Sequence, residues 1–326
     1  MTQTSTYNPE ILSVIGKGLS GSPKRLPSWL FYDEKGDKIF QAIMQMPEYY
    51  LTSSEFEILQ TQKHRILRHI VGDNEASNAV FKLVELGAGD GTKTEVLLNH
   101  FISQRIDFTY VPVDVSEAVL TQLVSRLNKS LPDLKIHAKC ELYSDALESM
   151  KNDTSEKKLI LFLGANIGNF NKEEAITFVK KLAINMNEND RLLIGFDLKK
   201  DPRLILAAYD DVEGITRDFN LNLLGRINRE FGGEFDLDLF SHYPYYDPEI
   251  GVTKSFLVSE REQEIWIEAL DKFIHFDRYE VIHTEVSQKY DLKMINSLAS
   301  QAGLDIVDVI CDKREYFADV IFKVKR

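Results

Sequence analysis

The run Glu85-Leu86-Gly87-Ala88-Gly89-Asp90-Gly91-Thr92-Lys93-Thr94 sets three alternating glycines between an apolar stretch and a helix-patterned one. Glycines at such a bend let the backbone turn tightly and approach a ligand with no Cβ in the way. Three ligands compete for this loop. The phosphate loop of nucleotide hydrolases needs Gly-Lys-Ser/Thr in sequence, and here Thr92 separates Gly91 from Lys93, so that reading fails. A dinucleotide would lay its pyrophosphate at the helix start, where Asp90 adds unwelcome negative charge. S-adenosylmethionine has no phosphate, bears a sulfonium cation and tolerates acids nearby. Asp114 ends the next apolar run, Tyr110-Val111-Pro112-Val113-Asp114, and a carboxylate there can hold both ribose hydroxyls. Glu85, the glycine loop and Asp114 together favour the methyl donor over NAD. Two plainer readings stand beside it: a strand-to-helix turn for the glycines, and helix capping before Ser116 for Asp114.

The elements that must position this loop follow from periodicity. Phe81–Leu86, Phe108–Val113, Leu134–Cys140, Leu159–Leu163 and Arg191–Phe196 read as five short strands, Leu159–Leu163 with no polar interruption. Helical runs lie at about 92–102, at Ser116–Asn128 with Leu120, Leu123 and Leu127 on one face, and at Lys172–Met186. Strands spaced by helices in this way predict a doubly wound parallel α/β sheet. Before it, residues 2–62 are helical with loops, and Pro47 breaks a helix carrying Ile39, Ile43 and Met46. After Asp197 the rhythm stops. Pro202–Asn228 is helix-like, Phe231–Gly251 is rich in Gly, Pro and aromatics, and Thr253–Ser259, Glu264–Leu270 and Tyr279–Tyr290 read as antiparallel strands. A last helix at Leu292–Ala302 precedes a hairpin-like pair near Asp305–Cys311 and Tyr316–Lys325. The expectation is two domains: residues 63–199 with 290–326 carrying the sheet, and 1–62 with 200–289 forming a second α+β domain.

Length and composition agree with that division. A chain of 326 residues exceeds the usual ~100–150 of one domain. Apolar residues at 44% and charged residues at 28% exclude a disordered chain. The net charge of −12 repels phosphate backbones and anionic lipid, so neither nucleic acid nor a membrane surface is an expected partner. Two cysteines, Cys140 and Cys311, cannot make a disulfide framework, and the seven histidines show no metal-ligand spacing. No apolar run approaches the ~20 residues that span a bilayer, and the amino-terminal stretch lacks a signal-peptide layout. A cytoplasmic protein with no metal and no obligate protein partner is expected.

Several blocks carry a more specific match. Leu30-Phe31-Tyr32-Asp33 through Pro47-Glu48-Tyr49-Tyr50-Leu51-Thr52 resembles the amino-terminal signature of the histidine Nα-methyltransferases of ergothioneine biosynthesis. Leu163-Gly164-Ala165-Asn166-Ile167-Gly168-Asn169-Phe170, the run from Gly195 to Pro202, and Ala207-Ala208-Tyr209-Asp210 are similar to later signatures of the same family. So are Phe219 to Asn228 and Thr284-Glu285-Val286-Ser287-Gln288-Lys289-Tyr290, all in family order from about residue 25 to the end. The resemblance implies a class I methyltransferase (Rossmann-like) sheet with a substrate domain and an active site at their junction. It also implies S-adenosylmethionine as donor and up to three methylations of the α-amine of free L-histidine, giving a betaine (hercynine). It further implies donor binding by Gly87, Lys93 and Asp114, with Glu141 and Leu142 on the adenine side, where the family more usually has Asp and an aromatic. Substrate binding falls to Tyr32, Tyr49, Gly164, Asn169 and Tyr209 at the amino and carboxylate ends, with Tyr32 and Asn169 the catalytic candidates. Glu285 and Ser287 match the positions that grip the imidazole.

The chemistry suits those residue types. Methyl transfer from a sulfonium is an in-line displacement, and orientation alone can lower such barriers by about 7–11 kcal/mol in ideal cases. An amide and phenols can hold a small zwitterion, and a carboxylate can accept a ring N–H. Plainer roles remain: a turn tie for Asn169, core packing for one of Tyr49 and Tyr50, and a solvated edge charge for Glu285. One departure stands out. Ser255 occupies the place where the family commonly has a methionine on the imidazole side, which leaves another aromatic amino acid as an alternative acceptor.

Overall fold

The computed structural model describes residues 7–72, 80–151 and 156–325, apart from the side chains of Ser144 and Met150. The chain opens with α1 (Pro9–Ser20), β1 (Lys24–Arg25), α2 (Glu34–Ile43) and α3 (Tyr50–Val71). Strand and helix then alternate through β2 (Phe81–Leu86), α4 (Glu95–Ser103), β3 (Phe108–Asp114), α5 (Glu117–Ser130), β4 (Lys135–Ile136) and β5 (Lys139–Cys140). The alternation continues with α6 (Tyr143–Lys151), β6 (Lys157–Phe162), α7 (Lys172–Ile184) and β7 (Arg191–Asp197). Next come α8 (Pro202–Ala207), α9 (Ile215–Phe231), β8 (Phe240–Asp247), β9 (Val252–Ser259), β10 (Gln263–Ile267), β11 (Lys272–Phe276) and β12 (Val281–Gln288). The last elements are α10 (Leu292–Ala302), β13 (Leu304–Cys311) and β14 (Phe317–Val324). No helix of the described residues is long and apolar enough to cross a membrane.

Internal packing divides the chain into two compact units, Met1–Tyr50 with Lys200–Gln288 and Leu51–Lys199 with Lys289–Arg326. Residues 51–62, expected with the smaller domain, lie in the sheet unit, because α3 runs unbroken from Tyr50 to Val71.

The sheet unit has the strand order β13-β14-β7-β6-β2-β3-β4, with β5 also on β3. The strands from β7 to β4 are parallel, and β14 and β13 run antiparallel at one end. This is the doubly wound α/β sheet anticipated, closed by the final hairpin. Its core takes Val84, Val111, Ile160, Leu192 and Ile194 from the strands and Val179, Leu182, Ile295 and Leu298 from α7 and α10. Continuous apolar strands are what burial on both faces requires. The single strand expected over Leu134–Cys140 is instead two fragments. β4 pairs with Thr109 and Tyr110, β5 pairs with Val113 and Asp114, and Pro112 between them brings no N–H to that edge.

The smaller unit holds a sheet of order β1-β12-β9-β8 and the hairpin β10–β11. Leu223, Leu224, Ile227 and Phe231 of α9 pack with Leu257, Ile282, Ile267 and Phe276 of the strands and with Ile15 and Leu19 of α1. Three features escaped the sequence patterns here. Pro202–Asn228 is two helices, because Gly214 at φ +75° turns the chain and Asp211 accepts the Ile215 and Thr216 amides at 2.8 Å each. β8 lies in the aromatic stretch, with Pro244 tolerated because β8 is an edge strand. β11 returns from a left-handed turn at Asp271 to pair with β10.

Candidate active site

The glycine loop leaves the end of β2 and enters α4. Gly87, Gly89 and Gly91 all have positive φ, at 73°, 54° and 66°. The Gly87 and Ala88 amides donate to the Val113 carbonyl at 2.8 and 3.2 Å, which fastens the loop to the tip of β3. Asp114 sits at that tip, half-buried. Its carboxylate accepts the Gly89 amide at 3.3 Å and the Ser116 amide at 3.0 Å, while Ser116 itself caps α5. Asp114 therefore serves the loop and the chain entering α5 at once. A Cβ added at Gly89 would have nothing within 4 Å, so the space over the loop is open there. An open glycine bend beside a half-exposed carboxylate fits a donor with ribose hydroxyls and no phosphate.

Glu85 has a different position from that of a ligand contact. It is buried, and its carboxylate accepts the Thr94 hydroxyl at 2.5 Å and the Tyr110 hydroxyl. Burial, partly offset by these two bonds, pushes its carboxyl up to about 7. The residue ties the entrance of the loop to its exit. Lys93, side chain partly exposed, is ion-paired with the buried Glu55 of α3. Glu141 is paired with Lys139 at 2.9 Å, and Leu142 is 60% exposed. Tyr143, the next residue, reaches the loop. A Cβ at Gly87 would come within 2.7 Å of its hydroxyl, and burial with the Asp114 charge pushes that phenol up to about 12.

The segment after β6 carries the next set. Gly164 and Ala165 both have positive φ, at 80° and 58°. The following turn is tied by the Gly168 amide on the Ala165 carbonyl at 2.8 Å and by the Asn166 amide group on the Leu163 carbonyl at 2.9 Å. These bonds do the work of a turn tie, and Asn169 is exposed at the end of the turn. The Gly164 amide is taken by Glu55, at 2.8 and 3.0 Å to its two oxygens. What Gly164 offers a ligand is its carbonyl and the space of a missing side chain.

The smaller unit holds the remaining candidates. Tyr32 is 42% exposed and is flanked edge-on by Phe40 and Phe219, with centroids at 5.5 and 5.6 Å. The neighbouring Asp33 caps α2 through the Gly36 amide at 2.7 Å and receives Asn222 and Arg229 at 2.8 and 2.6 Å. Of the tyrosine pair, Tyr50 is buried with its hydroxyl accepting Lys200 Nζ at 2.9 Å, and Tyr49 is half-buried against Phe40. Tyr209 is buried, its carbonyl accepting the Thr216 hydroxyl at 3.1 Å. On the sheet, β12 changes register between His283 and Glu285, and Glu285 then stands opposite Ser255 and Ser287 opposite Thr253. Directly opposed residues share a face, so Glu285, Ser287, Ser255 and Thr253 make one polar strip. The Ser255 hydroxyl donates to Glu285 Oε2 at 3.3 Å, and Ser255, Ser287 and Thr253 are buried.

Three residues of these surroundings were missed from sequence: Tyr143, Glu55 and Asp319. Glu55 had a usable signal. It stands in the apolar stripe of α3 with Leu51, Ile58, Leu59 and Ile66, all buried. Asp319 likewise interrupts a strand, Phe317–Val324, that is otherwise buried apolar through Phe322. A buried acid in an apolar pattern requires a partner or a proton. Tyr143 lay one residue beyond the pair chosen for the adenine side.

Residues 11–324 match the family described as histidine-specific, S-adenosylmethionine-dependent methyltransferases. A histidine N-alpha-methyltransferase of Mycolicibacterium smegmatis is 33% identical over 287 residues, 88% of this chain and 86% of that one. Ergothioneine biosynthesis protein 1 of Schizosaccharomyces pombe is 32% identical over 244 residues, which cover 73% of this chain and 31% of that longer protein. An L-tryptophan methyltransferase of Psilocybe serbica is 29% identical over 322 residues, 91% of this chain and 88% of that one. With a match across nearly its whole length, and a doubly wound sheet carrying the glycine loop and Asp114, this chain belongs to the histidine-specific, S-adenosylmethionine-dependent methyltransferases.

Proposed function

We propose that this chain transfers methyl groups from S-adenosylmethionine to the α-amine of free L-histidine, through to the trimethyl betaine. The observation that carries the acceptor is the Ser255–Glu285–Ser287 strip. Glu285, on which the Ser255 hydroxyl closes at 3.3 Å, is a carboxylate of the kind that accepts a ring N–H, and the buried Ser287 lies two residues along the same strand. The open bend at Gly89 with Asp114 supports the donor.

The bound donor supplies a methyl group on a sulfonium. The residues of the chain do the rest. Lys93 offers an ammonium to a carboxylate, Asp114 takes ribose hydroxyls, and the Tyr143 ring lies over Gly87 where a purine-bearing ligand needs a cover. In the smaller unit Glu285 and Ser287 suit the imidazole, and the phenols of Tyr49 and Tyr209 suit a carboxylate. In the sheet unit the Asn169 amide group and the Gly164 carbonyl suit a carboxylate and an amine. The nitrogen attacks only when deprotonated, so each round first gives up one ammonium proton; the new N–C bond then forms as the C–S bond breaks, leaving a neutral thioether. Tyr32, exposed and held by two aromatic rings, passes that proton to water.

Incubation with the donor and a pool of free amino acids, read by mass spectrometry, tests this. The expected result is methylated histidine, accumulating as the trimethyl species. No methylated amino acid, or methylation of a different one alone, overturns it. A second reading, another aromatic amino acid as acceptor, is favoured by the small side chain of Ser255, and a competition of histidine with tryptophan and tyrosine separates the two.

A further inference from the structure

The chain runs from β2 outward through β3, and from β6 outward through β7, so the strand order reverses between β2 and β6. Open α/β sheets bind ligands at such a point, between the loops that leave the two strands. Here those loops hold Lys93 and Gly164, and one side chain joins them. Glu55 is fully buried, accepts the Gly164 amide on both oxygens at 2.8 and 3.0 Å, and is ion-paired with the Lys93 ammonium. The two partners lie close together, since a Cβ at Gly164 would stand 3.5 Å from Lys93 Nζ.

The fold makes room for this carboxylate. A Cβ at Gly195 of β7 would lie 2.3 Å from Glu55 Oε1, so only glycine fits there. The cross-strand partner of Gly195 is Asp319 of β14, fully buried, with no hydrogen-bond partner for either oxygen among the described residues. Burial, and then the Glu55 charge, push the Asp319 carboxyl well up, so it stays neutral beside the pair.

We propose that Glu55 is a positioning residue for methyl transfer, holding the Lys93 ammonium of the donor loop and the Gly164 backbone of the acceptor segment at one fixed spacing. The words donor and acceptor rest on the function proposed above. The two contacts differ in kind. A lysine on its flexible stem can follow a displaced carboxylate, and a backbone amide in a left-handed turn cannot.

That difference gives the test. Wild type, Glu55→Gln and Glu55→Asp are compared for binding of S-adenosylhomocysteine by calorimetry and for kcat with donor and L-histidine, with circular dichroism reporting the fold of each. Glu55→Gln is expected to lose about tenfold or more in both binding and kcat. Glu55→Asp keeps the charge one methylene short. Its binding is expected within about threefold of wild type, because Lys93 follows, while kcat stays down by about tenfold or more, because the Gly164 amide is released. Should Glu55→Gln not fold, the split in Glu55→Asp decides alone. Both parameters unchanged in Glu55→Gln, or both restored or both lost together in Glu55→Asp, overturns the proposal. A wild type that leaves histidine unmethylated refutes the function and not this role, which the binding measured for Glu55→Gln still decides.

Discussion

Glu85→Gln should make the sheet unit more stable at neutral pH and less stable in acid. The Glu85 carboxyl is buried and pushed from 4.5 up to about 7. Between those values the folded chain keeps a proton that the unfolded chain has lost, so stability falls as pH rises through the window and levels off above it. At ~1.4 kcal/mol for each pH unit, the raised value corresponds to about 3 kcal/mol lost between pH 4.5 and 7. Glutamine has no proton to lose and escapes this slope. It does put an NH2, which cannot accept, in place of one of the two carboxyl oxygens that meet the hydroxyls of Thr94 and Tyr110, a handicap of about 1 kcal/mol at every pH. The net expectation is a variant about 1 kcal/mol weaker near pH 4.5 and about 2 kcal/mol stronger at pH 7.5. Urea unfolding across that range should be followed by far-UV circular dichroism, because both tryptophans, Trp29 and Trp266, lie in the smaller unit. A difference between variant and wild type that stays constant with pH would refute the assignment of Glu85 as a buried, proton-holding tie.

Asp319→Asn should shift in the same direction, since that carboxyl also keeps its proton when folded: the asparagine variant gains on wild type as pH rises past the ordinary carboxylate range, and a loss instead would show Asp319 ionised. Gly89→Ala costs about 1 kcal/mol of backbone strain at φ +54°, with no clash. Its binding of S-adenosylhomocysteine should nonetheless fall by about tenfold, and undiminished affinity by calorimetry would mean the open space over the loop is not the donor cradle. Ser255→Ala removes the hydroxyl that fixes Glu285, so KM for histidine should rise by about fivefold with kcat kept, in line with one lost hydrogen bond; an unchanged KM would detach Ser255 from the acceptor.

The sheet was legible because its strands obey a simple rule. Leu159–Phe162 is apolar without interruption, and Phe81–Leu86 and Arg191–Phe196 are largely apolar, as burial on both faces demands. The glycine loop and Asp114 were legible for a similar reason, since backbone freedom and a strand-end acid are written in residue type. The smaller unit was less so. β8 mixes proline with aromatics at an edge, and its pairing with β9 comes from tertiary contacts that no local period encodes. Position matching stopped at Glu141 and Leu142, and only the fold shows that the next residue, Tyr143, brings its hydroxyl to Gly87. Glu55 was overlooked although it stands in the apolar stripe of α3, because its partners Lys93 and Gly164 come from two loops far along the chain and no local period points to them.

β14 is inserted between β7 and β13, and it is synthesised long after its neighbour. While the ribosome makes everything from Asp197 to Phe317, the flank of β7 that β14 will cover, Leu192 to Asp197, has no mate. At typical translation speeds that interval lasts on the order of ten seconds. During it the nascent protein presents a bare apolar ladder, the kind of template on which foreign segments add and aggregates start. Residues 200–288 emerge in the same interval and can settle into their own unit first. The sheet unit therefore matures last, and Asp319, carried on the closing strand, arrives beside Glu55 only when the sheet is sealed.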